Sequence, residues 1–331
     1  MSVSVQSIAN DLGLSKATVS SILSGNGKAK GFSAATIETV RNYADSLGYI
    51  PNLLARGLST GKSNTVGLII PAVGDTFYSQ ITQAIEKPLG ERGYSLIVAS
   101  SEGDSEKESK LIQLLRSQKV EGLIIAPSKL QSPEITEMVS SGFPLVLVDR
   151  YYPQFDTNYV VVDNEGASRE LVKCLIKNGA KKVAILTTDT HLFVMKRRLF
   201  GYKSALADAG MNVDDSLCLS IDRADYHNDT WKQLGNLLEK HPDVDGFFMA
   251  THYLAMESIR FFMSEGIDYN NRFKLGCFHT TTALDILAPK MFFSMMPINE
   301  IGQEAVSILI DNIAEKKPGN TVHITLNNTL L

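Results

Sequence analysis

Small, hydroxyl-bearing and cationic side chains are concentrated in one short segment near the N-terminus. Between its apolar positions the segment carries Lys16, Ala17, Thr18, Ser20 and Ser21. Hydroxyl and ammonium groups bind phosphate oxygens and base edges, and short side chains allow a close approach to both. The segment holds no carboxylate that would repel an anion. Its outward face therefore predicts contact with a polyanion such as DNA, although a solvated charged face has a similar composition.

A second group of polar and aromatic side chains follows the apolar runs in the rest of the chain. Its members lie just after predicted strands and are Asp75, Phe77, Tyr78, residues 126–128, Asp149, Arg150, Asp163, Asn164, Arg198, Thr251, His252 and His279. Charged groups beside aromatic rings are typical of a pocket that binds a small polar molecule. We expect these residues to line such a pocket.

Catalytic and metal chemistry have no comparable pattern in the sequence. No nucleophile with a matched base, no paired carboxylates and no metal-ligand spacing stand out among the six dispersed histidines. The three cysteines, Cys174, Cys218 and Cys277, lie far apart in apolar segments without a Cys-x-x-Cys spacing. That placement favours reduced, buried thiols over disulfides or a zinc site. We therefore predict no enzymatic activity, no metal and no cofactor.

Length and charge indicate a small unit and a larger one. The chain of 331 residues has a net charge of −4, but its first 62 residues hold six cationic and only three acidic side chains. A small cationic unit on an acidic body suits attraction to phosphates. No apolar stretch reaches about 18 residues, and the N-terminus lacks a secretory signal pattern. We predict a cytoplasmic protein that does not enter a membrane.

Apolar residues at spacings of three and four predict three short helices in the first unit. In order, the helices bury Val5, Ile8, Ala9 and Leu12, then Val19, Ile22 and Leu23, then Ile37, Val40, Ala44 and Leu47. Ser15 suits the N-cap of the second helix, the third starts near Ser33, and Gly13 and Gly48 end the first and third. A helix, a tight turn and a helix form the helix-turn-helix signature. From periodicity alone, a plain helical bundle fits equally well.

Apolar strand-like runs alternate with amphipathic helices from Thr65 onward. Seven runs are predicted, at residues 66–70, 96–99, 122–126, 145–148, 183–186, 246–249 and 274–277. Continuous apolar strands between helices indicate parallel sheets covered on both faces, and so many strands suggest two doubly wound lobes. A break in the rhythm at 158–164 marks a first crossover between lobes, and residues 292–297 return the chain to the first lobe. Ligands of such sheets bind at the carboxyl ends of the strands, which predicts a cleft between the lobes.

The sequence resembles the lactose-repressor/galactose-repressor (LacI/GalR) family essentially from end to end. Residues 5–24 read Val-Gln-Ser-Ile-Ala-Asn-Asp-Leu-Gly-Leu-Ser-Lys-Ala-Thr-Val-Ser-Ser-Ile-Leu-Ser, residues 47–52 read Leu-Gly-Tyr-Ile-Pro-Asn, and residues 55–58 read Ala-Arg-Gly-Leu. The resemblance implies an α/β protein with an all-α helix-turn-helix headpiece and a two-lobed, periplasmic-binding-protein-like sensor. We assign residues 1–50 to the headpiece, 51–63 to a hinge helix and linker, and 64–331 to the effector-binding and dimerisation domain.

The resemblance also implies how operator DNA is bound. Lys16, Ala17 and Ser21 match base-reading positions, and phosphate-contacting or supporting positions match Ser15, Thr18, Ser20, Ser24, Tyr49 and Asn52. In the hinge helix, Ala55 matches a DNA-contacting position and Leu58 matches a leucine that wedges between base pairs in the minor groove. Two features depart from the family: Ser21 stands where many members have arginine, and the turn after the second helix is longer and adds Lys28 and Lys30.

The effector site implied by the resemblance lies in the predicted cleft. Phe77 and Tyr78 match the aromatic wall and Arg198 the effector-binding arginine, and we add Asp149, Thr251 and His279 from their places after strands. Many members carry carboxylates where this chain has His252 and His279. That difference favours an electropositive cleft and an anionic sugar derivative, such as a sugar acid or a sugar phosphate, whose binding tightens as the pH falls toward about 6.

Two other classes of protein fit parts of the sequence. A two-lobed solute-binding protein of transport type shares the predicted sensor, but it requires export and has no use for a helix-turn-helix. An enzyme needs the catalytic groups that the sequence lacks. The best hypothesis is a transcription regulator, a repressor, that acts as a homodimer on a pseudo-palindromic operator.

Overall fold

The chain divides into two compact units, residues 1–64 and 65–331, in a computed structural model. The structure describes residues 3–25, 27–28, 30–49, 62–128, 132–188, 193–315 and 321–331. The separate hinge assigned to residues 51–63 lies almost wholly outside the described residues. The three-part division of the chain therefore stays a prediction.

Three helices form the described part of the first unit. They are α1 Val5–Asp11, α2 Lys16–Leu23 and α3 Ala34–Ser46. Each begins at a serine whose hydroxyl accepts a hydrogen bond from a backbone N–H of the first turn, as from Thr18 to Ser15 at 3.0 Å and from Thr36 to Ser33 at 3.1 Å. These bonds satisfy donors that have no partner within a helix, so the sequence sets where each helix starts.

The apolar stripes of the three helices meet in one small core. Its buried members are Ile8, Ala9, Val19, Ile22, Ile37, Val40 and Ala44. Leu47 was predicted to join them, but its side chain is 38% exposed. It is the C-cap residue of α3, one residue before Gly48 turns the chain into the left-handed region at φ +62°. Leu47 is therefore already leaving the helical face that the other three residues share.

Two six-stranded sheets form the second unit. The strands are β1 Thr65–Ile70, β2 Ser95–Ser100, β3 Gly122–Ile125, β4 Leu145–Val148, β5 Asn158–Val162, β6 Val183–Thr188, β7 Cys218–Ile221, β8 Gly246–Met249, β9 Lys274–Phe278, β10 Phe292–Met295, β11 His323–Leu326 and β12 Thr329–Leu330. The first sheet has the order β11-β5-β4-β3-β1-β2 and the second the order β12-β10-β9-β8-β6-β7. The two sheets thus repeat one topology, and every pairing is parallel except β10 with β12.

The described helices of the second unit connect these strands. They are α4 Thr76–Glu91, α5 Ser105–Ser117, α6 Pro133–Ser140, α7 Asn164–Lys177, α8 Phe193–Asp208, α9 Tyr226–Lys240, α10 His252–Ser264, α11 Tyr269–Arg272, α12 Thr282–Leu287 and α13 Ile298–Glu315. Single 3-10 turns lie at Asp215–Leu217 and Arg223–Asp225. All seven predicted strands are present, and the doubly wound fold is confirmed.

The chain crosses between the sheets three times. It leaves the first sheet after β5, returns through α13, which packs on α4 and the first sheet, and crosses again between β11 and β12. The predicted break at 158–164 contains strand β5, and the first crossing follows it. The prediction that residues 292–297 already return to the first lobe was wrong for Phe292–Met295, because this strand pairs with β9 in the second sheet.

Helices α7 and α8 pack very closely at Gly201. A Cβ added to Gly201 in α8 would lie 2.3 Å from the carbonyl oxygen of Glu165 in α7. Only glycine allows these two backbones to come so close. The close approach brings the part of α8 that carries Arg198 against the start of α7, where Asn164 lies.

Candidate functional site

The outward face of α2 is the candidate nucleic-acid interface of the first unit. Lys16, Ala17 and Ser20 are exposed, as predicted, while Thr18 is half-buried. The hydroxyl of Ser15 is already bonded to the backbone N–H and the hydroxyl of Thr18, at 3.0 and 2.9 Å. Ser15 and Thr18 therefore fix the start of the helix, and the side chains free to meet a ligand are those of Lys16, Ala17 and Ser20.

Ser21 was predicted to lie on the same outward face, and this exposure was predicted wrongly. Ser21 is only 8% exposed. The Ser21 hydroxyl accepts a hydrogen bond from Nζ of Lys30 at 3.1 Å. Helical periodicity places Ser21 beside Thr18, but it cannot predict contacts with residues that come later in the chain, such as Lys30. The base-reading role of Ser21 remains a prediction.

The remaining predicted DNA-contacting residues are Ser24, Tyr49, Asn52, Ala55 and Leu58, all within the first unit. Ser24 is the half-buried C-cap residue of α2, and Tyr49 packs against the helical core with its backbone N–H bonded to Ala44 O at 2.9 Å. Asn52, Ala55 and Leu58 fall outside the described residues. Their roles stay predictions.

A cavity of about 370 Å³ in the second unit is the candidate ligand site. It opens where strands of both sheets end, and its wall includes all six predicted residues: Phe77, Tyr78, Asp149, Arg198, Thr251 and His279. His279 forms a 3.0 Å hydrogen bond with Gln80, which lies 199 residues away in the chain. Of the other residues predicted after strands, Asp75, Arg150 and His252 also line the cavity, whereas residues 126–128, Asp163 and Asn164 do not. The parallel-sheet rule therefore predicted the position of the cavity but not its whole wall.

Asp149, Tyr78 and Arg150 form one hydrogen-bonded group on the first-sheet side of the cavity. The Tyr78 hydroxyl donates to Asp149 at 2.9 Å, and the Arg150 guanidinium donates to the Tyr78 oxygen at 3.2 Å and lies 3.3 Å from Asp149. Burial raises the pKa of Tyr78 well above its ordinary value, so its hydroxyl stays protonated. Asp149 adopts φ +63°, a conformation that a non-glycine residue rarely takes and that is enriched at functional sites.

Arg198 is the buried cation on the second-sheet side. Its Nε donates to the amide oxygen of Asn164 at 2.8 Å, and another guanidinium nitrogen donates to the carbonyl of Ala250 at 2.6 Å. The guanidinium carbon lies 3.6 Å from the ring centre of Phe278. Burial lowers the pKa of Arg198 to about 10, so the group stays charged at neutral pH. Among these described contacts, both hydrogen-bond acceptors are uncharged.

Two buried histidines, His252 and His279, line the same side of the cavity as Arg198. Burial lowers the pKa of His279 to about 4 and also lowers the pKa of His252, so both are neutral at physiological pH. His252 Nε2 lies 3.5 Å from Asp75, whose own pKa is raised by burial. Nδ1 of His279 and Nε2 of His252 are buried and make no hydrogen bond to any described residue. Both residues line the cavity.

The expectation of an electropositive cleft was wrong. Three carboxylates line the cavity, those of Asp75, Glu102 and Asp149, and three guanidiniums balance them, those of Arg150, Arg198 and Arg223. The histidines add no charge because burial disfavours their protonated form. The prediction that effector binding tightens toward pH 6 assumed that these histidines become protonated there, and this premise was wrong.

The structure gives Thr251 a capping role and adds His252 to the cavity wall. The Thr251 hydroxyl caps α10 by accepting from the backbone N–H of Leu254 at 3.3 Å. That bond occupies the group that was predicted to meet the effector, although Thr251 does line the cavity. His252, which follows it, was noted after the strand but left out of the predicted site.

Metal and membrane chemistry receive no support within the described ranges. No three histidine, cysteine or acidic side chains among them are grouped so that they could hold a metal ion. In the same ranges no helix combines the length and the apolar character needed to cross a membrane.

Known proteins match the chain over nearly its whole length. The family model described as periplasmic binding proteins and sugar binding domain of LacI family matches residues 63–329. Catabolite control protein A of Priestia megaterium is 28% identical over 311 residues, which cover 93% of this chain and 92% of that protein. HTH-type transcriptional regulator CelR of Thermobifida fusca is 28% identical over 309 residues, covering 91% and 89%.

Solved structures match equally broadly. A complex of transcriptional regulator CelR with cellobiose has a TM-score of 0.72 at 25% identity and covers 99% of this chain and 98% of that one. The lac repressor dimer bound to operator and the anti-inducer ONPF has a TM-score of 0.84, with the same coverage. At 19% identity, this second likeness concerns the fold alone.

Proposed function

The chain belongs to the LacI family of transcription regulators, and we propose that its first unit binds operator DNA while its second unit binds a sugar effector that changes operator affinity. The single observation that carries the effector half is the cavity in which all six predicted residues meet. Two relatives are named as HTH-type transcriptional regulators, and one similar structure is a complex with cellobiose. No reaction is proposed for the cavity.

DNA binding is supported by the face of α2. Lys16, Ala17 and Ser20 present an ammonium, a methyl and a hydroxyl to solvent on a short helix of a helix-turn-helix. Such groups fit the major groove, where lysine meets guanine acceptors and a small apolar side chain meets a thymine methyl. A single headpiece offers few contacts, so we propose a homodimer that reads two half-sites related by two-fold symmetry.

The effector we propose is a sugar derivative with one acidic group, such as a sugar acid or sugar phosphate. Arg198 supports it: this buried cation donates to two uncharged acceptors, so a nearby anion would gain a charge-assisted hydrogen bond. The neutral ring nitrogens of His252 and His279, with Asp149, are groups that bind sugar hydroxyls. The charges of the described wall balance only when Arg198 is counted, so the proposal of an acidic group on the ligand rests on Arg198 and its uncharged partners.

A two-part experiment tests this function. Gel shifts with genomic fragments ask whether a specific fragment binds, and calorimetry then compares neutral sugars, sugar acids and sugar phosphates with and without that fragment. We expect a specific shift, one dimer per site in sedimentation, and an acidic sugar whose affinity changes when DNA is bound. If the protein binds sugars but shifts no DNA fragment, the proposed function as a transcription regulator is contradicted. Tight binding of a neutral sugar alone would contradict only the acidic group.

A further inference from the structure

The exposed face of α2 carries a single cation of its own. Lys16 lies in the first turn of the helix, and the residues that follow on the exposed face are Ala17 and Ser20. In the last turn, Ser21 is buried. The half of the helix that ends at Leu23 therefore presents no cationic side chain from its own sequence.

A lysine from the following turn lies at this position. Lys30 is exposed, and its Nζ donates to the Ser21 hydroxyl at 3.1 Å. This bond joins two residues nine positions apart and holds an ammonium beside the last turn of α2. An ammonium has three N–H groups, and Ser21 accepts from one of them. The helix C-terminus, where the backbone carbonyls lack partners, adds a favourable field for the same charge.

Lys28 belongs to the same turn and differs in this respect. It is also exposed, but within the described residues no hydrogen bond or ion pair of its side chain is recorded. Two lysines of equal charge, two positions apart, thus differ in whether a hydrogen bond restrains their ammonium group. A lysine that contacts a phosphate adds affinity without sequence preference, whereas one held where it reaches a base edge adds preference. The hydrogen bond of Lys30 to the recognition helix favours the second role for Lys30.

We propose that Lys30, positioned by Ser21, is a base-reading residue that recognises the acceptors of a guanine in each operator half-site. The proposal rests on the DNA-binding function proposed above. Guanine offers O6 and N7 in the major groove, and lysine is one of the two side chains that most often bind them. Ser21 then acts as a positioning residue, because its hydroxyl orients the lysine rather than meeting the base.

The test is a selection of binding sites from random-sequence DNA at one fixed salt concentration. The full-length wild type is compared with Lys30→Ala, Lys30→Arg, Ser21→Ala and the matched control Lys28→Ala. We expect the wild type to select a guanine that Lys30→Ala and Ser21→Ala no longer prefer, with about a 10-fold loss in discrimination at that base. Lys30→Arg retains the preference, since arginine reads the same acceptors, and Lys28→Ala lowers affinity for all sequences alike.

Each outcome of the selection decides a separate point. If Lys30→Ala weakens every sequence equally, as Lys28→Ala does, then Lys30 is a phosphate contact and the proposal is overturned. A double variant of Ser21 and Lys30 that loses more discrimination than Lys30→Ala alone would overturn the positioning role of Ser21. A wild type that selects no sequence at all would instead refute the DNA-binding function. Circular dichroism confirms that each variant is folded.

Discussion

Replacing Arg198 with methionine separates a binding role from a structural one. Arg198 is only 5% exposed, and burial lowers its pKa from the ordinary range of a guanidinium to about 10. That difference corresponds to about 3 kcal/mol against keeping the charge in the folded state, at about 1.4 kcal/mol for each pH unit. Because the pKa is lowered, the penalty is present in full at neutral pH and disappears only as the pH rises through about 10 and above.

The lost hydrogen bonds act in the opposite direction. Methionine leaves the amide oxygen of Asn164 and the carbonyl of Ala250 without their donor, at about 1–3 kcal/mol for each buried group. The two losses sum to about 2–6 kcal/mol against a gain of about 3 kcal/mol, so we expect the unfolding free energy of the ligand-free protein to fall by no more than about 3 kcal/mol. Effector affinity loses a charged hydrogen bond worth about 1.5–3 kcal/mol, or roughly 10- to 150-fold.

Urea denaturation and calorimetry with the tightest sugar of the panel measure both quantities. Arg197→Met is the matched control, because Arg197 lies on the same helix, is half-exposed and pairs with Glu165 outside the cavity wall. It should leave effector affinity unchanged. The reasoning is refuted if Arg198→Met binds the effector like the wild type. A loss of stability of more than about 3 and up to about 5 kcal/mol, the usual cost of breaking a buried pair, would show that Arg198 is structural.

Three further predictions concern other parts of the account. The pKa of His279 is lowered to about 4, so the unfolded chain takes up a proton before the folded one as the pH falls below about 6.5. The free energy of unfolding should therefore be about 1.3 kcal/mol lower at pH 5.5 than at pH 7.5. Urea denaturation curves should show a shallower pH dependence for His279→Gln than for the wild type. Gly201→Ala should lower the free energy of unfolding by about 1–3 kcal/mol and weaken effector binding, because the added Cβ overlaps the backbone of α7. Gly235→Ala, which has open space around its Cβ, should be neutral or stabilising in the same denaturation assay. Leu58→Ala should weaken operator binding by about 10-fold or more while sparing effector binding, and unchanged gel shifts would rule out the wedge.

Local chemistry made much of the fold predictable. Serine caps set the starts of α2 and α3, and uninterrupted apolar runs set the inner strands, because both signals are contained within a few residues. Strand β5 was taken for a break because no helix separates it from β4, although parallel neighbours are usually joined by one. Strand β7 is an edge strand with a mixed burial pattern, and its four residues carry little signal.

The candidate site was predictable in position but not in its electrostatics. Strand ends located Asp149, Arg198 and His279, because parallel sheets bind ligands at that edge. The charge state of His279 depends on burial by both lobes, which no short stretch of sequence encodes. The burial of Ser21 was likewise not predictable from its own helix, and its hydrogen bond to Lys30 joins residues nine positions apart.

Reciprocal coupling between the two ligands tests the central claim most directly. One protein preparation is used to measure operator affinity with and without saturating effector, and effector affinity with and without saturating operator. The account predicts the same factor in both directions, within the usual range of about 5- to 150-fold, because coupling between two sites is reciprocal. Effector binding that is indifferent to a bound operator would contradict the claim that this chain is a sugar-controlled regulator.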